Sequence, residues 1–163
     1  MRAPVILITT TSIVIAKLSE RLILSYWRMT PSLLDIMKVG EVLDDHRAQA
    51  PGPVADLVII DQRVGIPDDV IRQRLSRKTR ERDPKTMGSV IVYEGTGFFA
   101  ASVRSVITAI KIAARIRTPM RVVASVSEAA AMCKSEGWSE LSPDDIVRAV
   151  EVVRAQLRSD ART

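Results

Sequence analysis

"VIVYEGTGFFAA", residues 90–101, decides the fold. An apolar run stops at Tyr93-Glu94, two glycines follow one residue apart, and a helical pattern opens at Phe98. A buried strand, a tight turn and a helix make the first half of a βαβ unit. Gly95, Gly97 and Ala100 also satisfy the G-x-G-x-x-G/A spacing of a dinucleotide loop. Three features oppose that reading. Phe98 and Phe99 fill the variable positions of the motif with bulk, suited to plugging the helix into a core. The next strand ends in "VVASVSE", with no acidic residue at its tip to hold a ribose. The unit also falls in the second half of the chain, whereas the fingerprint belongs to the first βαβ of a sheet. No Gly-Lys-Ser/Thr follows, which excludes a P-loop. The loop is therefore expected to be a structural turn. Gly95, Thr96 and Gly97, with Ser125 at the end of the next strand, remain candidates for a small anion or polar ligand.

The same alternation extends both ways. "LVII" (57–60) is a short apolar strand, and "IPDDVIRQRL" opens a helix with Pro67, Asp68 and Asp69 in its first turn. "RVVAS" (121–125) is a third strand and "SEAAAMCKSE" its helix. The helix from Phe98 to about residue 117 is apolar around most of its circumference, with Arg104, Lys111 and Arg115 on one edge; it is expected to be buried but for that edge. Continuous apolar strands alternating with helices mean parallel pairing, covered on both faces.

The chain begins differently. Residues 5–9, 13–16 and 21–27 read as extended segments, the last two joined by the polar "KLSE" into an antiparallel hairpin. Thr30-Pro31 then reads as a helix start, with an apolar face through Leu33, Ile36, Met37, Gly40 and Leu43 to about residue 48. "QAPGPVA" ends it. The last helix starts at "LSPDDIVRAVEVVRAQL", where Ser142 and Asp145 form a capping pair and Ile146, Val150, Val153 and Leu157 a stripe. The expected fold is α/β: antiparallel opening strands, then parallel β-α units, in one mixed sheet with flanking helices. Residues 1–136 form the domain, and 137–163 a helical extension packed on it.

The whole chain sets limits. Its 163 residues suit one domain, and 47% hydrophobic with 26% charged residues is ordinary for a globular protein. One cysteine, Cys133, and one histidine, His46, rule out an internal disulfide and a multi-ligand Cys/His zinc site. No metal and no cofactor is expected. Thr9 to Ser12 interrupt the first apolar run, so it does not read as a signal peptide, and no stretch reaches the length of apolar sequence that crosses a bilayer. A cytoplasmic protein is expected.

Charge is concentrated. Residues 71–85 hold seven basic residues (Arg72, Arg74, Arg77, Lys78, Arg80, Arg82 and Lys85) and two acids, a local +5 that equals the net charge of the chain. An acidic protein partner is one use of such a helix. Nucleic acid is another, although no aromatic residue interleaves the charges. A solvated helix end is the plain alternative.

Hairpin first and strand–helix alternation after it, with "ADLVIID", "IPDDVIRQRL", "VIVYEGTGFFAASVRSVITAI" and "MRVVASVSEAA", resembles the STAS-type fold of anti-sigma-factor antagonists. It is closer still to the SpoIIAA-like, lipid-binding-type domains of bacteria. The resemblance implies a non-catalytic module that docks to partners. It also implies a phosphorylatable hydroxyl after a central strand, but "IIDQRVGIPDD" keeps Asp61 and has no Ser or Thr at 62–69. The expectation is a self-associating interaction or signalling module, with no enzymatic activity. Its partner surface is the Asp61-Gln62-Arg63 loop with the basic residues Arg72, Arg74, Arg77, Lys78, Arg80 and Arg82. The alternatives are a small-ligand sensor (anion, nucleotide or lipid) at the C-terminal ends of the parallel strands, and nucleic-acid binding through 71–85.

Overall fold

Six strands in chain order build one sheet, β1-β2-β3-β4-β5-β6, in a computed structural model that describes residues 3–160. The opening strands β1 (Val5–Thr9), β2 (Ile13–Lys17) and β3 (Leu22–Trp27) are antiparallel. The "KLSE" connection turns the hairpin, with Leu18 N–H donating to the Leu22 carbonyl at 3.0 Å and Lys17 facing Glu20 at 2.7 Å. From β3 onward pairing is parallel, through β4 (Val54–Ile60), β5 (Thr86–Tyr93) and β6 (Met120–Val123). The mixed α/β sheet read from the sequence is thus present, with β4 starting three residues earlier than "LVII".

Helices α1 (Leu33–Gln49), α2 (Asp69–Arg82) and α3 (Gly97–Ala114) connect the parallel strands; α4 (Val126–Ser135) and α5 (Pro143–Asp160) follow them. Because strand order follows chain order, three right-handed crossovers lay α1, α2 and α3 on the same face. The second face is left to α4 and α5. Alternate strand residues serve the two faces. Leu22, Leu24, Ala55, Leu57, Ile59, Val90 and Val92 join Ile146, Ala149, Val150 and Val153 of α5 in the larger core. Ile13, Ile15, Ile23 and Val54 meet Ile36, Val39 and Leu43 of α1 and Ile71 of α2 in a smaller one.

Ile146, Val150 and Val153 are wholly buried, so the stripe of the last helix packs on its own sheet. Each contributes about 1.5–3 kcal/mol of burial. Ser142 accepts from Asp145 N–H at 3.1 Å and its hydroxyl donates to Asp145 Oδ2 at 2.8 Å, the capping pair read from the sequence. The final three residues of the 137–163 extension, and residues 1 and 2, lie outside the described residues.

Two expectations need correcting. The cap of α1 is Ser32, locked in a capping box with Asp35. Thr30 lies outside that helix and accepts Gly65 N–H at 2.6 Å, tying the β3-α1 loop to the β4-α2 loop. The larger correction concerns α3. Only Ala100, Val103 and Ala114 are buried along it, Phe98 is 88% exposed and Ile112 72%. Neither aromatic therefore plugs the helix into the core; Phe99, itself 39% exposed, is the one that meets a buried ring, its centroid 6.3 Å from that of Tyr93. By length and composition α3 also meets the requirement for crossing a bilayer, which the sequence reading had found in no segment. Its ends are nevertheless fixed to adjacent parallel strands of one sheet, a geometry that insertion across a bilayer would dismantle.

Candidate functional site

The sparse contact between α3 and the sheet leaves a chamber. A cavity of about 200 Å³ lies under α1, α2 and α3 on the face of β3, β4, β5 and β6 that they cover. Its walls are mainly apolar: Trp27, Val58, Ile60 and Ile91 from the strands, Leu75 from α2, and Val106, Ile107 and Ile110 from α3. A polar strip crosses this lining. Ser25, Asp56 and Ser89 share the phase of their strands that faces α1–α3, and Asp56 stands opposite Ser89 in the β4-β5 register.

Arg47, in the last turn of α1, reaches this strip with a side chain only 2% exposed. One of its Nη groups pairs with Asp56 Oδ1, while Asp56 Oδ2 lies 3.5 Å from the Ser89 hydroxyl. Nε and Nη1 of Arg47 are buried and have no protein acceptor. An ionised group held away from water with two donors unmatched is costly, so its placement against a cavity is the strongest local signal of a ligand oxygen. The sequence reading missed it. The available signal was three polar residues (Ser25, Asp56 and Ser89) at one phase in three otherwise apolar strands.

At the C-terminal ends of the strands lies a second cluster. Asp61 accepts from Arg63 Nε at 2.8 Å, Nη2 at 2.9 Å and backbone N–H at 2.9 Å, with the Tyr26 hydroxyl at 3.5 Å. These bonds from Arg63 hold the Asp61 carboxyl below its ordinary pKa. Arg154 of α5 pairs with Glu94 and with Glu151, and its guanidinium lies 5.6 Å from the centre of the Tyr26 ring. Asp61 and Arg63 thus satisfy each other, and Gln62 between them is exposed.

The ligand candidates have local roles. Gly97 has φ +73°, and a Cβ at Gly95 would fall 2.3 Å from the Tyr93 hydroxyl. Gly97 is there for its left-handed backbone, and Gly95 because the Tyr93 ring leaves no room for a side chain. Thr96 is the N-cap residue of α3, and Ser125 caps α4 by accepting from Glu128 N–H. Neither these four nor Asp61, Gln62 and Arg63 lines the chamber.

The basic helix divides by face. Lys78 and Arg82 turn toward α1, where both pair with Asp44 at 3.0 and 2.8 Å; Arg82 also donates to the Gly40 carbonyl at 3.1 Å. Arg72 pairs with Asp69, and Arg74 is half-buried with its Nε enclosed and unmatched. Arg77 and Arg80 face water beside a shallow groove that Ala109 and Ala113 of α3 complete. Exposed apolar residues collect elsewhere, at the end where α1–α3 begin: Met29, Leu33 and Leu34, then Ile66 and Val70, then Phe98.

Other singled-out residues are quiet. Cys133 is fully buried in the core, and burial pushes its thiol up to about 11. His46 is half-buried, and its pKa is lowered by burial and then by the charges of Lys17 and Arg47. Among the described residues no group of His, Cys, Asp and Glu is arranged to hold a metal ion.

The carboxylates predict an acid limit. Burial alone would raise Asp35, Asp44 and Asp83, but hydrogen bonds from Ser32, from Lys78 and Arg82, and from Thr118 outweigh it, and all three are lowered, as is Asp61. Groups lowered in the folded state contribute stability above their unfolded pKa of about 4 and lose it as pH falls through the folded values. Urea unfolding is therefore expected to give a constant contribution from these groups between about pH 5 and 7 and a falling midpoint below about pH 4.

The geometry defines an α/β domain with α1, α2 and α3 on one face of the sheet, α4 and α5 on the other, and a chamber beneath the first three. Comparison with protein-family models, with curated proteins and with solved structures gave no match to this chain.

Proposed function

We propose that this domain is a non-catalytic binding module of STAS-like architecture, and that its ligand site is the chamber beneath α1–α3 and not the strand-end loops. The observation that carries the reading is Arg47: a buried guanidinium with two unmatched nitrogens in the wall of an apolar cavity. The STAS-like part rests on the opening hairpin followed by β-α units added in order. The first test is a native mass spectrum of freshly purified protein, followed by melting against a panel of small apolar molecules. A ligand that binds only the folded state must raise the midpoint. A bare chain together with no shift across the panel would overturn the reading.

A second reading, docking of an acidic protein partner, is supported by Arg77 and Arg80 on the outer face of α2. Arg77→Glu with Arg80→Glu is expected to change stability by less than about 0.5 kcal/mol and to abolish capture of such a partner. Asp44→Ala, which releases the inward pair Lys78 and Arg82, is expected to cost about 1 kcal/mol in urea unfolding and to leave capture intact. Capture unchanged by the double reversal would remove this reading. Retention on DNA or RNA that weakens steeply with salt would replace it with a nucleic-acid one.

A further inference from the structure

We propose that the ligand of the chamber is an uncharged, compact apolar molecule bearing one oxygen acceptor, such as an aryl or medium-chain ketone or alcohol, whose oxygen is bound by Arg47. This rests on the chamber being a ligand site, and adds which chemistry it selects.

Size sets the first limit. An apolar cavity of about 150 Å³ takes benzene, so about 200 Å³ admits one ring with a short substituent or a chain of comparable bulk. The chamber cannot enclose a whole nucleotide or an intact phospholipid.

Charge sets the second. The cations in the wall already face carboxylates: Arg47 faces Asp56, while Lys78 and Arg82 share Asp44 and Lys78 also meets Glu81. The further wall carboxylate, Asp83, is held by the Thr118 hydroxyl and the N–H groups of Arg117 and Thr118. No positive charge is left over for an anion. A carboxylate ligand beside Arg47 would sit close to Asp56 and bring a buried, uncompensated negative charge with it. A pure hydrocarbon has the opposite defect, since Nε and Nη1 of Arg47 would stay unmatched. A neutral carbonyl or hydroxyl oxygen meets both conditions: it accepts from the guanidinium and adds no charge.

Three probes with one ring and different heads test this on the full chain: acetophenone, ethylbenzene and benzoate, each titrated by melting and by calorimetry. Acetophenone is expected to bind at least tenfold more tightly than ethylbenzene, and benzoate more weakly than either. In a variant carrying Arg47→Met and Asp56→Leu together, which removes the charges as a pair, acetophenone and ethylbenzene are expected to bind within about twofold of each other. Should that variant not fold, the Arg47 Nε–H resonance of the wild-type protein carries the same information. It is expected to move with acetophenone and stay in place with ethylbenzene.

Benzoate binding as tightly as acetophenone would overturn the proposal, and so would equal affinity of acetophenone and ethylbenzene for the wild type. In either case the chamber would stand as a ligand site of other selectivity. Binding of none of the three would overturn both this inference and the function on which it rests.

Discussion

Arg47→Met is expected to cost about 3–5 kcal/mol, the range for removing one partner of a buried ion pair. The side chain of Arg47 is 2% exposed and that of its partner Asp56 17%. Methionine fills much of the space that the arginine stem occupied, so lost packing is the lesser part of the effect. The greater part is the Asp56 carboxylate, left facing an apolar cavity with only the Ser89 hydroxyl near it, at 3.5 Å. Adding Asp56→Leu is expected to restore most of the stability, because removing both charges is far less costly than removing one. Urea unfolding of the two single variants and the double variant would show this as strong coupling. Additive losses would mean that the two side chains do not act as a pair.

Gly88→Ala comes next, at about 3 kcal/mol, the upper part of the usual range for overfilling a packed core. A Cβ on Gly88 would lie 2.0 Å from Cζ2 of Trp138. That ring has little freedom to retreat. Trp138 is 4% exposed, within the core shared by α4, α5 and the sheet. Its backbone N–H is held by the Cys133 carbonyl at 2.9 Å, after Gly137 ends α4 at φ +69°. The indole therefore covers the β5 backbone directly, and a residue with no side chain is what allows it. Combining Gly88→Ala with Trp138→Leu is expected to destabilise less than the sum of the two single changes. A Gly88→Ala protein as stable as the parent would show that the ring moves aside freely.

Much of the fold was legible because the elements obey local rules. Val5–Thr9 and the strands around "KLSE" are rich in β-branched residues and the polar connection turns them, and the pairing of Ser142 with Asp145 announces α5. The stripe at Ile146, Val150 and Val153 marks the buried side of α5 for the same reason. The reading failed where burial depends on distant partners. Phe98 and Phe99 look like core residues in sequence, yet the spacing between α3 and the sheet leaves both exposed, Phe98 almost fully. Lys78 and Arg82 look like part of a free basic field, until the α1·α2 packing brings Asp44 to them. Arg47 was invisible for a similar reason. It sits among polar residues at a helix end, and nothing local says that the helix delivers it beneath the sheet's covered face.

The order of the strands has a consequence for how the chain is made. Each new strand from β2 to β6 adds to the edge left by its predecessor, so the sheet and its first helical layer can assemble in the sequence of synthesis. The other face must wait. Its cover begins with α4 and closes when α5 returns across the molecule to bring Arg154 over Tyr26, while Glu140, just ahead of that helix, accepts from the Ser19 hydroxyl at 3.3 Å. Until α4 and α5 have both emerged, Leu24, Leu57, Val90 and Val92 are left uncovered on a nearly complete sheet. The most aggregation-prone form of this domain is thus a nascent chain in which the sheet has emerged and the helices of its second face have not.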